Sequence, residues 1–276
     1  MEMSNGSHCS LSVIIVSYRN PVVLRDCLES IEEFNDIGDA LEVIVVDQSE
    51  DASVLPEMTF EFANVTFLRN ENRGFGSGNN VGARYAHGNV LLFLNPDTIL
   101  LEPIFAFALQ RFEDDPRLGL FGCRLVSGDG DRNQSFFMKR PYGFFSIMLW
   151  HIYDRFDRFN PDTMYITGAD MFVSRNAFER VGGFDERMFM YYEETYLCAR
   201  LMEQNYDIAY FPQKRIVHLE GKSSSNINTF LRSLDSLEIL CSDLSWDYDK
   251  TLREMRKDRI LMGLLPSKRK SCRKEI

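Results

Sequence analysis

Apolar positions in the first hundred residues fall into short unbroken runs separated by stretches of helical period. Residues 11–16, 41–46, 65–68 and 90–94 are mainly apolar, the first two rich in β-branched side chains, the pattern of strands covered on both faces. Asn20-Pro21 predicts a cap followed by proline in a first helical turn. Leu24, Cys27, Leu28 and Ile31 then recur at helical spacing. A glycine-rich stretch over 74–80 leads into another helix carrying Val81, Ala83 and Ala86. Strand–helix alternation of this kind predicts an α/β fold with a mainly parallel sheet and helices on both faces.

Sheets of this type bind ligands at the carboxyl ends of their strands. Polar residues stand there after three of the four runs: Ser17-Tyr18, Asp47, and Asn95 with Asp97. A carboxylate such as Asp97 after a buried strand can coordinate Mg2+ or Mn2+ against diphosphate oxygens. Asn-Pro-Asp is also good turn chemistry, so a plain turn is the competing reading.

The second half is less regular. A strand is expected over 171–174, a helix over 175–181 running into Gly182-Gly183-Phe184-Asp185, and a helix opening at Glu193-Glu194. Strands follow over 207–211 and 216–218. Residues 136–159 hold nine aromatics interleaved with Lys139, Arg140, Arg155 and Arg158. That stretch reads either as a surface dipping into a membrane interface or as core or dimer packing. From Thr251 onward nine Lys/Arg stand against three Asp/Glu, which would add attraction to anionic lipid.

Composition narrows the function class. A chain of 276 residues, 45% hydrophobic and 26% charged, is long enough for one large domain or two small ones. A net charge of −10 excludes nucleic acid as the main partner and means that bound phosphates need a metal or local cations. The six cysteines have no zinc-site spacing and are expected as reduced core thiols. The polar first ten residues and the lack of an 18–20-residue apolar run predict a cytoplasmic protein, with peripheral contact at the inner face of the membrane as the second reading.

Six segments occur in order: Val16-Ser17-Tyr18-Arg19-Asn20, Val45-Val46-Asp47, Asn72-Arg73-Gly74-Phe75-Gly76, Leu94-Asn95-Pro96-Asp97-Thr98, Gly182-Gly183-Phe184-Asp185-Glu186, and Glu193-Glu194 with a later His218. Over about residues 11–220 the chain resembles the inverting glycosyltransferase family 2, which has the GT-A fold. The Asn-Pro-Asp turn is similar to the branch holding rhamnosyltransferases and galactofuranosyltransferases of bacterial surface polysaccharides. The resemblance implies a GT-A domain over 1–235, leaving 236–276 as a helical, basic extension. It implies a nucleoside-diphosphate sugar donor (dTDP-rhamnose first, UDP-hexoses next), a glycan or lipid-linked acceptor, and a Mg2+ or Mn2+ cofactor.

Residue roles follow from resemblance and chemistry together. Asp97 is the metal ligand, and by resemblance His218 completes the metal site or touches the diphosphate. Asn95 stands where relatives commonly have Asp and is expected on the ribose or a metal-bound water. By resemblance Asp47 binds base or ribose, against a turn through Ser49. Tyr18 lies against the base or merely packs; Arg19 contacts phosphate or base. Arg73 and Asn79 are candidates for the nucleotide sugar, and Gly74, Gly76 and Gly78 for close backbone approach to a ligand. Glu194 is expected to be the base that deprotonates the acceptor hydroxyl, with Glu193 as fallback. Asp170 and Asp185 are expected in the acceptor or donor-sugar pocket. Relatives carry Glu-Asp, one residue, then Asp-Leu; Tyr196 replaces the second Asp, which keeps a non-catalytic nucleotide-sugar-binding relative open. A sugar nucleotidyltransferase would need a basic, glycine-rich loop that residues 11–20 lack.

Overall fold

β1 (Leu11–Ser17) is buried along its whole length because it lies between β2 (Leu41–Asp47) and β4 (Val90–Leu94), parallel to both. In this computed structural model, residues 9–50, 58–59, 61–140, 144–219 and 227–254 are described. β3 (Val65–Arg69) extends the parallel block beyond β2. The eight-stranded sheet is completed by β9 (Asp170–Ser174), β6 (Leu118–Val126), β10 (Asp207–His218) and β5 (Thr98–Leu100), in the order β3-β2-β1-β4-β9-β6-β10-β5. β9 runs against β4 and β6, β5 runs against β10, and β6 and β10 are parallel. A separate ribbon pairs β7 (Phe136–Met138) with β8 (Met164–Ile166).

The period-2 alternation of each strand sends side chains into two cores. On one face Val13, Ile15, Val45 and Leu92 meet α1 (Pro21–Glu33) and α3 (Phe105–Asp114). On the other, Ile14, Ile44, Val46 and Phe93 meet α2 (Phe75–Tyr85), α5 (Arg175–Arg180), α6 (Glu193–Glu203) and the β7–β8 ribbon. α4 (Phe144–Arg155) lies against β7, and α7 (Ile227–Asp243) is followed by a further helical stretch over residues 248–254. The expected boundary at 235/236 falls inside α7.

The glycines of α2 serve this packing. A Cβ on Gly78 would stand 2.9 Å from both Val16 methyls, and one on Gly82 2.4 Å from Ile14 Cγ2. Gly74, at φ 106, passes so close to Phe189 that a Cβ would sit 2.1 Å from its carbonyl oxygen. The close approach expected toward a ligand is thus an approach to the protein's own backbone and sheet. Gly82→Ala tests this. Helix propensity alone would favour the alanine by about 1 kcal/mol, but overpacking against a fully buried β-branched residue costs about 1–3 kcal/mol. Thermal unfolding is expected to show a lower Tm.

Several elements differ from their sequence expectation. The strands expected at 207–211 and 216–218 are one strand, β10, whose register slips between Phe211 and Arg215, beside Pro212. Proline removes a ladder donor there, and the break reads as a gap in sequence. Central β6 lies in a region that carried no strand expectation. Its glycines dilute the apolar signal but are needed: a Cβ on Gly122 would meet Ile166 Cγ2 at 2.4 Å. Asn20 occupies the expected cap position of α1 but makes no side-chain capping bond. The aromatic stretch divides. Phe136 is buried, and Trp150 donates Nε1–H to Phe136 O at 2.9 Å, whereas Phe156 is 64% exposed. Cys27, Cys123, Cys198 and Cys241 are buried free thiols. Tyr142 and the basic residues beyond 254 lie outside the described residues.

Candidate active site

Strand order reverses at β1: β2 and β3 lie on one side and β4 on the other. A crevice for a nucleotide opens at such a switch point, outside the carboxyl ends of the two diverging strands. Here those ends carry Tyr18 and the Asn95-Pro96-Asp97 turn.

The turn is held by backbone. Asn95 N–H donates to Ala169 O (2.9 Å), Thr98 donates Oγ1–H to Asn95 O (2.7 Å), and Leu219 N–H donates to Asp97 O (2.9 Å). Antiparallel pairing of β5 with β10 puts His218 opposite Thr98, and Asn133 Nδ2–H fixes the His218 carbonyl (3.0 Å). Two residues 121 apart in sequence therefore meet. His218 Nε2 lies 3.3 Å from Asp97 Oδ1, and Asn95 Nδ2 lies 3.4 Å from the same nitrogen.

That pair fits a divalent cation. Neighbouring ligands of an octahedral ion bound at about 2.1 Å are about 3 Å apart, close to the observed separation. One carboxylate and one imidazole suit Mn2+ or Mg2+, which takes its remaining ligands from phosphates and water. Among the described residues no cluster of three or more His, Cys, Asp or Glu forms a fuller metal cage.

The amino end of α6 points to the same edge. Lys139, just after β7, reaches Met202 near the carboxyl end of α6, while Tyr165 of β8 interacts with Glu194 and Thr195 near its amino end. α6 therefore runs against β8, with its first turn at the Ile166 end of that strand. Tyr191 and Tyr192, immediately before α6, have φ 71 and 70. Left-handed backbone at bulky residues costs about 1–3 kcal/mol each and collects at functional sites.

Glu193 and Glu194 each have one sheltered carboxylate oxygen, Oε2, with no hydrogen-bond partner among the described residues. Glu193 is 5% exposed; Glu194 is more open. Burial raises both carboxyls, Glu194 to about 7 and Glu193 well above the usual range, the latter further through its neighbour's charge. Burial and mutual repulsion thus raise the pair together, so that it exchanges a proton closer to neutral pH than free carboxyls do.

The other expected site residues are placed as follows. Asp47 is buried, and its Oδ1 accepts from Ser49 N–H (3.2 Å) and Oγ–H (2.6 Å), a turn at the mouth of the crevice. Tyr18 is exposed there with Arg19 over its ring, and Arg19 is ion-paired with Glu50. Arg73 is exposed and pairs with Glu71 at 2.8 Å. Two expectations are corrected. Asn79 is buried inside α2, donating to Phe75 O (3.1 Å), because its helix lies flat on the sheet. Asp170 is 0% exposed, and its Oδ2 accepts from Cys123 N–H (2.6 Å), tying β9 to β6 beneath the turn; burial holds its carboxyl protonated well above the usual range. Asp185 is held by the Arg187 guanidinium (2.6 Å), which depresses its carboxyl.

Arg187 also grips Asp243 of α7, and Tyr196 donates its hydroxyl to the same carboxylate (2.7 Å). Tyr196, at a position where an acid was expected, thus docks α7 against α6. Tyr196→Asp would set a carboxylate beside Asp243 and Asp185. We expect a loss of about 1–2 kcal/mol in denaturant unfolding, with Asp243→Asn recovering much of it. Sequence reading missed Asp243, Gln48 and Asn80. Gln48 donates to Gly74 O (3.1 Å), and Asn80 Nδ2–H donates to Phe184 O (2.9 Å), so both fix the chain around the crevice. Asn80 carried a signal in the paired Asn79-Asn80; Asp243 carried none.

The family model of Glycosyl transferase family 2 matches residues 12–182. The chain belongs to this family. It is similar to Rhamnosyltransferase WbbL of Escherichia coli (strain K12), 23% identical over 265 residues that span 90% of this chain and 94% of that one. It is 28% identical over 152 residues to O-antigen biosynthesis protein RfbC of Myxococcus xanthus, a match covering 52% of this chain but only 12% of RfbC. Among solved structures, the mannosyltransferase PcManGT from Pyrobaculum calidifontis in complex with GDP-Man and Mn2+ matches with a TM-score of 0.61 and 19% identity, over 86% of this chain and 64% of that one. The fold is that of the GT-A glycosyltransferases, and the chain is a glycosyltransferase by family.

Proposed function

We propose that this glycosyltransferase moves a sugar, with inversion, from a nucleoside-diphosphate donor to a hydroxyl of a glycan or lipid-linked acceptor in bacterial surface-polysaccharide synthesis. dTDP-rhamnose is the first candidate donor, in keeping with the similarity to a rhamnosyltransferase along nearly the whole chain. The observation that carries the reading is the meeting of Asp97 and His218 at the strand-order switch, with Asn95 beside them.

In this reading Tyr18, Arg19 and Asp47 receive the nucleotide at the ends of β1 and β2. Asp97 and His218 hold Mn2+ or Mg2+, whose chemistry there is to neutralise the diphosphate leaving group. Glu194 takes the proton of the acceptor hydroxyl as that oxygen attacks the anomeric carbon from the face opposite the diphosphate. Glu193, kept neutral, avoids a second buried charge beside it. Asp185 and Arg187 orient the loop before α6.

Incubating the purified protein with dTDP-rhamnose and a set of UDP- and GDP-sugars, with Mn2+, Mg2+ or EDTA, tests this. One donor is expected to raise the Tm in the presence of metal and to be slowly hydrolysed without acceptor. If no nucleotide sugar shifts the Tm or is consumed, the reading fails; a shift without consumption under any condition would mark a non-catalytic binder.

A further inference from the structure

α4 is apolar on both sides. Its inner face, Ile147 and Trp150, packs on β7. Its outer face carries Met148 (42% exposed), Leu149 (38%) and Ile152 (46%), and continues to Phe156 (64%) through the turn that ends the helix. Met148, Ile152 and Phe156 are four apart and form one stripe. A helix apolar all round belongs in a core or at a lipid interface, and this outer stripe is covered by none of the described residues.

Of the charged residues over 148–158, the exposed ones are cationic and the acids, Asp154 and Asp157, are half-buried. Arg155 and Arg158 are exposed beside the stripe. The acid between them, Asp157, is turned inward and held by Arg124 and Arg132. A protein of net charge −10 thus presents a locally cationic rim around its exposed apolar stripe.

We propose that the outer face of α4 docks on an anionic lipid bilayer, seating Met148, Leu149, Ile152 and Phe156 among the acyl chains and Arg155 and Arg158 at the headgroups. Amphipathic membrane contacts have this arrangement, with an apolar stripe for depth and flanking cations for attraction. The cationic rim favours a bilayer over a second copy of this acidic chain, which would bring like rims together. The inference rests on the exposed face and its charges and is independent of the donor and of transfer.

The test is flotation of the full chain with vesicles of phosphatidylcholine alone or with about one-third phosphatidylglycerol. Wild type is expected to float with the anionic vesicles and to be released as salt rises from about 50 to about 500 mM. The double variant Ile152→Ser/Phe156→Ser, with circular dichroism and Tm as folding checks, is expected to bind at least tenfold more weakly while still hydrolysing donor as wild type does. Arg155→Gln/Arg158→Gln is expected to be released at a lower salt concentration than wild type. Wild-type flotation of the Ile152/Phe156 variant would overturn the proposal. So would a wild type that ignores vesicles but sediments as a dimer that the same substitutions dissolve.

Discussion

Asp97→Ala is expected to lower sugar transfer by about a thousandfold or more while leaving the fold in place. A metal at a diphosphate leaving group supplies several kcal/mol of transition-state stabilisation, and each 1.36 kcal/mol is about tenfold in rate. His218 alone is a weak hold on Mn2+ or Mg2+, both of which favour oxygen, so losing the carboxylate should lose the ion. The fold should survive because the bonds that shape the turn are made by Asn95 O, Asn95 N, Thr98 and the Asp97 carbonyl, none of which the substitution removes. The measurement pairs initial rates across a Mn2+ titration with the metal-dependent Tm shift given by a nucleoside diphosphate. Both should vanish in Asp97→Ala, whereas His218→Ala should keep a weakened response at high Mn2+. Undiminished transfer in Asp97→Ala, or in wild type with EDTA, would refute the metal role.

The nucleotide half of the fold was readable because its strands are buried on both faces, so β1, β2 and β4 stand out as continuous apolar runs. β6 is as deeply buried, but Gly119 and Gly122 break its run, and only the packed structure explains them. Sequence also located the residues that lie at strand ends, since strand ends are where an apolar run stops at a polar residue: Tyr18, Asp47 and Asp97 all stand there. It could not foresee the direction a side chain takes inside an element. Asn79 looked like a ligand contact in a glycine-rich loop, yet the stretch is the first turn of a helix pressed against Val16 and Ile14. Asp170 sits on a strand that runs antiparallel to β4, so its carboxyl falls between strands beneath the turn. The meeting of Asp97 with His218 depends on β5 folding back along β10, a pairing that no local pattern announces; only the family resemblance pointed to it. Tyr196 is the converse case. Its departure from the family's acidic residue left function open, and the contact with Asp243 supplies a physical reason for a tyrosine at that position.

Glu194→Gln is expected to cost about 10²–10⁴ in kcat, the usual worth of a positioned general base, and at the same time to stabilise the protein above neutral pH. The sign follows from the carboxyl's surroundings. Burial raises Glu194 from 4.5 to about 7 in the folded protein. Below the unfolded value both states hold the proton, and the site's contribution to stability is fully present. As pH rises, the unfolded chain ionises first, so stability falls until the folded carboxyl has ionised as well. Glutamine never ionises. The Tm of Glu194→Gln relative to wild type should therefore climb between about pH 5 and about pH 8 by several degrees, while wild-type kcat rises toward a plateau above about 7 because only the ionised carboxyl can take the acceptor's proton. Glu193→Gln separates the two acids. Glu193 holds its proton in the folded protein across this range while the unfolded chain loses its own, so Glu193→Gln should leave transfer within about tenfold of wild type and give a stability gain that starts at the same pH but keeps climbing above neutrality, where that of Glu194→Gln levels off. If instead Glu193→Gln abolishes transfer and Glu194→Gln leaves the kcat profile unchanged, the base is Glu193, and the strained tyrosines before α6 aim that carboxylate into the site.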